Sequence, residues 1–191
     1  MVSRYKAVFL DRDGVLVKSQ VKNRKAYAPK TFKDFKIYRD SLKCIKKLSS
    51  IGYKTIVVTN QPDVEKKIIS KKTLNKMHLL LKKKIKVNKI YTCTHTSKKN
   101  CKCRKPKPGM LIKAAELNNI NLKKSYMIGD RSSDIVCGKR VGCKTIFIDR
   151  NYKEQKPKIQ NVSVKNLKEA TNYILNNEIR KIKNKNFCRW R

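Results

Sequence analysis

Residues 7–10, Ala-Val-Phe-Leu, form a continuous apolar run behind Tyr5 and Lys6. An uninterrupted run of that length is what a strand buried on both faces of a parallel sheet requires. Comparable short runs recur at residues 54–58, 89–92, 125–128 and 145–148. Between them the apolar positions change to helical spacing. Tyr38, Leu42, Ile45 and Leu48 make one stripe, with Asp40 or Ser41 as N-cap, an end near Ser50 and Gly52 as the stop. Leu74, Met77, Leu81 and Ile85 make another over residues 70–86, with Lys on the opposite face. Pro108 is placed to open a helix reaching about Leu117, and a short helix over 132–141 separates two strands. Ser163 is a candidate cap for a last helix with Val164, Leu167, Ala170 and Ile174 facing inward. Residues 15–35, with Pro29, are polar and irregular and predict a loop or small flap.

Strands alternating with helices predict an α/β fold of Rossmann-like form: a central parallel sheet with helices on both faces. The predicted domain covers residues 1–175, and a basic, poorly ordered tail covers 176–191. A chain of 191 residues suits one domain and leaves no room for a large cap. No apolar run approaches the roughly 18 residues of a membrane span. The first residues do not form a signal peptide, so a cytoplasmic location is expected.

In open parallel sheets, ligands bind beyond the carboxyl ends of the strands. Asp11-Arg12-Asp13-Gly14 follows the first strand, Thr59-Asn60-Gln61-Pro62 the second and Cys93-Thr94-His95 the third. Gly129-Asp130-Arg131-Ser132-Ser133-Asp134 follows the fourth. The reactive residues therefore collect at one edge. Asp11 and Asp13, two apart in extended backbone, place both carboxylates on one side with Arg12 on the other. Two close carboxylates repel unless a cation lies between them. With Asp130 and Asp134 they make an all-oxygen site suited to Mg²⁺.

Cys93, His95, Cys101 and Cys103 lie within eleven residues. Four such ligands make a closed, structural Zn²⁺ site over the loop 93–103, with no open position for chemistry. Arg104 and Lys105 follow directly and form a candidate phosphate clamp at the catalytic edge. Cys44, Cys137 and Cys143 read as small apolar fillers, Cys188 as an incidental thiol and His78 as a packed or surface histidine.

The 50 Lys and Arg against 13 Asp and Glu give a net charge of +37. The Lys residues are spread along the chain among many Ile and Asn, a pattern that codon composition alone produces. A selected surface for nucleic acid or another polyanion is the alternative.

These residues in this order resemble the haloacid dehalogenase (HAD) superfamily of phosphatases. Asp11-Arg12-Asp13-Gly14-Val15-Leu16 is similar to its first motif and Val57-Val58-Thr59-Asn60-Gln61 to its second. Lys105-Pro106 is similar to the third, and Gly129 to Asp134 to the fourth. The Cys-x-His…Cys-x-Cys-Arg-Lys-Pro stretch resembles the capless, zinc-containing branch. That branch holds D-glycero-D-manno-heptose 1,7-bisphosphate and histidinol-phosphate phosphatases.

The resemblance implies Asp11 as nucleophile, forming an aspartyl-phosphate, and Asp13 as general acid and then base. It implies Mg²⁺ held by Asp11, the Asp13 carbonyl and Asp130, with Asp134 in support. Thr59, Asn60 and Lys105 would bind the phosphoryl group, and Arg104 the substrate. The activity implied is phosphomonoester hydrolysis of a small phosphorylated metabolite, a sugar phosphate of the heptose bisphosphate type, by a monomer. Alternatives are histidinol phosphate, a polynucleotide 3′-phosphate, or nucleic-acid binding without catalysis. One departure stands out. The branch commonly continues Ala-Arg-Gly where this chain has Glu65-Lys66-Lys67, which puts the turn beside the site in question.

Overall fold

The computed structural model describes residues 5–187. Strand β1 (Lys6–Leu10) leads to a hairpin of β2 (Gln20–Lys22) and β3 (Lys25–Tyr27), then helix α1 (Ser41–Ser50). β4 (Tyr53–Asn60), α2 (Lys71–Ile85), β5 (Lys89–Cys93) and α3 (Gly109–Asn118) follow. β6 (Tyr126–Gly129), α4 (Ser132–Arg140), β7 (Lys144–Ile148), β8 (Val162–Val164) and α5 (Leu167–Phe187) complete the order. Six strands form one parallel sheet in the order β5-β4-β1-β6-β7-β8.

Side chains alternate across the sheet as strand geometry demands. Val8, Leu10 and Val57 pack with α1, α2 and α5 on one face. Ala7, Phe9, Ile56 and Val58 pack with Met110, Leu111 and Ala114 of α3 on the other. Both faces are covered, which is why the strands read as unbroken apolar runs. Each fully buried Leu, Ile or Phe contributes about 1.5–3 kcal/mol. Cys44, Cys137 and Cys143 are buried in these two cores, as expected of fillers. Burial pushes the Cys137 and Cys143 thiols up to about 12. From central β1 the chain steps to β4 on one side and reaches β6 on the other. The strand order reverses there, and the crevice for a ligand opens at that point.

Three expectations change. Residues 15–35 are not irregular throughout: Val15, Leu16 and Val17 are fully buried core residues. The β2–β3 hairpin turns through Asn23 and Arg24, both with positive φ (50° and 58°). Such a turn favours Asn, but Arg is no turn signal, so the pattern alone does not reveal the hairpin. The last helix is not capped at Ser163. Residues 162–164 form the edge strand β8, and Val164 pairs with Ile148. The cap is Asn166, whose Oδ1 accepts the Glu169 N–H at 2.9 Å. A three-residue strand is too short to show a period.

The third change concerns the expected tail. α5 continues past residue 175 to Phe187, while Cys188 and Trp190 lie outside the described residues. Glu178 anchors this polar stretch. It pairs with Lys6 of β1 and accepts a hydrogen bond from the Tyr53 hydroxyl at 3.1 Å. Charged anchors hold the helix where an apolar stripe is missing. Burial would raise the Glu178 pKa, but hydrogen bonds from Lys181 and Lys6 outweigh it and set it at about 2. A depressed carboxylate contributes stability above its unfolded value of 4.5, and that stability is lost as pH falls toward 2. Glu178→Gln should cost about 1–2 kcal/mol at pH 7. It should also flatten the loss of stability between pH 4.5 and 2. Denaturant unfolding at pH 7 and pH 3 checks both, and an unchanged acid slope in the variant would count against the anchor. No helix among the described residues is long and apolar enough to cross a membrane.

Candidate active site and zinc loop

Asp11 leaves the end of β1 with its N–H bonded to Ile128 O of β6 at 2.9 Å. Asp130 follows β6, and Asp134 lies in the first turn of α4, where it accepts the Arg131 N–H at 3.1 Å. Carboxylate oxygens of Asp11, Asp130 and Asp134 all lie within 4.8 Å of one another. Gly14 makes that approach feasible. Its φ is +79°, and a Cβ there would stand 1.8 Å from Asp130 Oδ2.

Lys105 enters this group from the loop before α3. Its buried Nζ donates to Asp11 Oδ1 at 2.8 Å and to Val58 O at 2.7 Å. It also pairs with Asp134 Oδ1 at 2.6 Å. Burial alone would lower the ammonium's pKa, but the Asp11 and Asp134 carboxylates outweigh it and raise it. One ammonium still faces three carboxylates. Burial first, then Asp11 and Asp134, raises the Asp130 pKa well above its ordinary 3.8. Burial and the Asp11 charge raise Asp134 as well. Both Asp130 oxygens are buried with no hydrogen-bond partner. A second cation satisfies all of this, and an all-carboxylate set fits Mg²⁺. The Asp134 oxygens are bonded to Lys105 and Arg131, so the fit favours Asp11 and Asp130 as direct ligands, with Asp134 supporting.

Arg12 does not point away from the paired carboxylates, as simple alternation predicts. It is fully buried and forks onto Asp13, Nε to Oδ1 at 3.0 Å and NH2 to Oδ2 at 2.9 Å. A long side chain can reach back where Cβ direction alone says otherwise. Gln61 donates to the same Asp13 Oδ2 at 2.7 Å and to Thr59 Oγ1 at 2.9 Å. The Asn60 amide is latched to the Lys105 backbone, N–H to Oδ1 and Nδ2 to C=O, each at 3.1 Å. Asn60 thus holds the lysine loop against β4.

Asp11, Asp13, Lys105 and Asp134 open into a cavity of about 390 Å³. Arg104, Lys66 and Arg131 ring it with positive charge, and Ser19 and Tyr27 come from the hairpin side. The sequence alone does not single out Lys66, Arg131, Ser19 or Tyr27. Arg131 sits inside the fourth motif and was readable, whereas the others are brought in only by the fold.

Cys93, at the end of β5, meets His95, Cys101 and Cys103. The Cys93 and Cys101 sulfurs are 3.6 Å apart, and Cys101 and Cys103 are 3.4 Å apart. His95 Nδ1 lies 3.7 Å from Cys93 Sγ and 3.4 Å from Cys103 Sγ. Zn–S bonds of about 2.3 Å in a tetrahedron imply ligand separations of about 3.7 Å, so the four atoms fit one Zn²⁺. The loop is tied to the catalytic edge. Arg104 NH1 donates to His95 O at 3.1 Å, and Gln61 N–H donates to Cys93 O at 2.6 Å. Glu65 accepts the Thr96 N–H.

A HAD-hydrolase-like family model matches residues 102–171. Over 179 residues the chain is 31% identical to D-glycero-alpha-D-manno-heptose-1,7-bisphosphate 7-phosphatase of Campylobacter jejuni, covering 91% of this chain and 98% of that one. The chain belongs to the HAD-like hydrolases. Within that family it is a phosphatase. A second relative, D-glycero-beta-D-manno-heptose-1,7-bisphosphate 7-phosphatase of Helicobacter pylori, is 29% identical over 91% of this chain and 99% of that one. The fold is shared with the D,D-heptose 1,7-bisphosphate phosphatase of B. bronchiseptica, a structure solved with magnesium and phosphate. That match has a TM-score of 0.78 and 24% identity, over 90% of this chain and 99% of that one. In this HAD phosphatase Lys67 stands where the glycine of Ala-Arg-Gly is expected. Lys67 takes the left-handed conformation itself, with φ +57°, at about 1–2 kcal/mol of local strain.

Proposed function

We propose that the chain removes a phosphate from a seven-carbon sugar of the D-glycero-D-manno-heptose 1,7-bisphosphate kind. The observation that carries this is the carboxylate cluster tied to buried Lys105 at the floor of a cation-ringed cavity. Arg104, Lys66 and Arg131 suit a substrate that carries more than one phosphate.

In the first step an Asp11 oxygen attacks phosphorus. The phosphorus–sugar oxygen bond breaks, and Asp13 gives the leaving oxygen a proton. In the second step water attacks the aspartyl-phosphate, Asp13 takes the water's proton, and the Asp11–phosphorus bond breaks. Lys105 and the Thr59–Asn60 turn hold the phosphoryl oxygens. Asp11, Asp130 and the Asp13 carbonyl would hold Mg²⁺, which would supply charge neutralisation at the phosphoryl group. Asp134 holds Lys105 in place.

Phosphate release with Mg²⁺ tests this reading against three substrates: heptose 1,7-bisphosphate, histidinol phosphate and a 3′-phosphorylated oligonucleotide. Turnover of the heptose bisphosphate should exceed the other two by at least tenfold. A preference for the oligonucleotide would overturn the proposal and make the +37 charge part of substrate recognition.

A further inference from the structure

Arg12 is an unusual residue to find fully buried. Its guanidinium stands 5.3 Å from the Phe35 ring, and all three of its nitrogens are bonded. Nε and NH2 fork onto Asp13, NH2 also reaches Gln61 Oε1 at 2.8 Å, and NH1 meets His78 Nε2 at 3.2 Å. Arginine only donates, so His78 Nε2 accepts and its proton sits on Nδ1. Burial first, and then the Arg12 charge, pushes the His78 pKa down to about 3, which keeps the imidazole an acceptor.

We propose that His78, on helix α2, is a positioning residue for Asp13, acting through the guanidinium of Arg12. The proposal rests on Asp13 being the proton donor to the leaving group. Two elements distant in sequence meet at this fork. His78 fixes the guanidinium from α2, and Gln61 fixes it from the end of β4, while Gln61 also grips Asp13 directly. A bidentate fork sets the plane of the carboxylate it holds. Asp13 and Gln61 hold Nε and NH2, and among the described residues His78 is the partner of the remaining nitrogen, NH1. Loss of the NH1 acceptor therefore lets the fork and the Asp13 carboxylate plane drift, while Asp11, Asp130 and Lys105, which Arg12 does not contact, keep their own positions. A proton donor a few tenths of an ångström out of place transfers its proton less well, whereas phosphoryl positioning is unaffected.

The test exploits leaving groups. A sugar alkoxide leaves poorly and needs the proton, whereas p-nitrophenolate leaves as a stable anion. kcat/KM reports steps up to the first phosphoryl transfer. His78→Leu should lower kcat/KM for heptose 1,7-bisphosphate about tenfold, a part of the 10²–10⁴-fold a general acid supplies. It should change kcat/KM for p-nitrophenyl phosphate less than about twofold. His78→Gln, which restores an acceptor, should recover most of the loss. An equal loss on both substrates, no loss on either, or no recovery with Gln overturns the proposal. Asp13→Asn is the control. If it too affects both substrates equally, Asp13 is not the proton donor, and the reading beneath the proposal falls first. Should His78→Leu not fold, Arg12→Lys keeps the charge but loses the fork and is judged by the same leaving-group contrast.

Discussion

Asp11→Asn should release phosphate at least about 10⁴-fold more slowly than the parent on every substrate, because in the proposed mechanism it removes the nucleophile. Asparagine keeps the volume of aspartate and leaves an oxygen to accept the Lys105 bond, now 2.8 Å at Oδ1. Its amide oxygen is a poor nucleophile and does not form a stable acyl phosphate. The fold should persist. Removing one of three crowded carboxylates relieves the repulsion that raises Asp130. The variant should therefore match the parent in thermal stability or exceed it by about 1 kcal/mol. Phosphate release and thermal unfolding, measured on the same preparation, separate the two effects. Residual activity within a hundredfold of the parent would remove Asp11 from the nucleophile's role.

The second large effect belongs to the zinc loop. Cys101→Ser should lose the metal and about 4 kcal/mol of stability. Cys93 is buried in the core and Cys101 and Cys103 pack against its edge, but the rest of residues 94–103 is polar, so a bound metal would be the main contact organising them. Activity should fall indirectly and less than in Asp11→Asn. Lys105 is pinned by Val58, Asn60 and Asp11, none of which depends on zinc. Arg104 is held through His95 O and should be freed. The expected pattern is a raised KM and a kcat within about tenfold of the parent. A strong chelator should lower the parent's melting temperature to near that of the variant and leave the variant unmoved. If the parent's melting temperature ignores the chelator, and metal analysis finds no zinc, the structural-zinc reading is wrong.

Much of the site was legible because phosphoryl chemistry at a sheet edge uses residues immediately after strands. Asp11, Thr59, Asn60, Cys93 and Asp130 sit at strand ends that the apolar runs already marked. The four candidate zinc ligands cluster in sequence as they do in space, because metal geometry restricts spacing. Period-two alternation locates Cβ atoms, not the ends of long side chains, so it does not show that Arg12 turns back onto Asp13. The sequence predicts His78 only as a packed or surface residue, because a histidine on an apolar stripe gives no sign of a partner 66 residues away. α5 ran beyond its expected end because its anchors, Lys6 and Tyr53, come from strands far off in the chain.

By itself, the order of residues determined the parallel sheet, the gathering of reactive residues at its carboxyl edge and the Cys/His cluster of the loop 93–103. Each of these depends on local periodicity or short spacing, which a linear chain records directly. Only the tertiary structure decided how the charges share the site: Lys105 between Asp11 and Asp134, Asp130 left without a partner, and Asp13 gripped by Arg12. Those pairings join residues brought together by packing of the two cores. In a buried setting of low dielectric, a few tenths of an ångström decide which charge is neutralised by which.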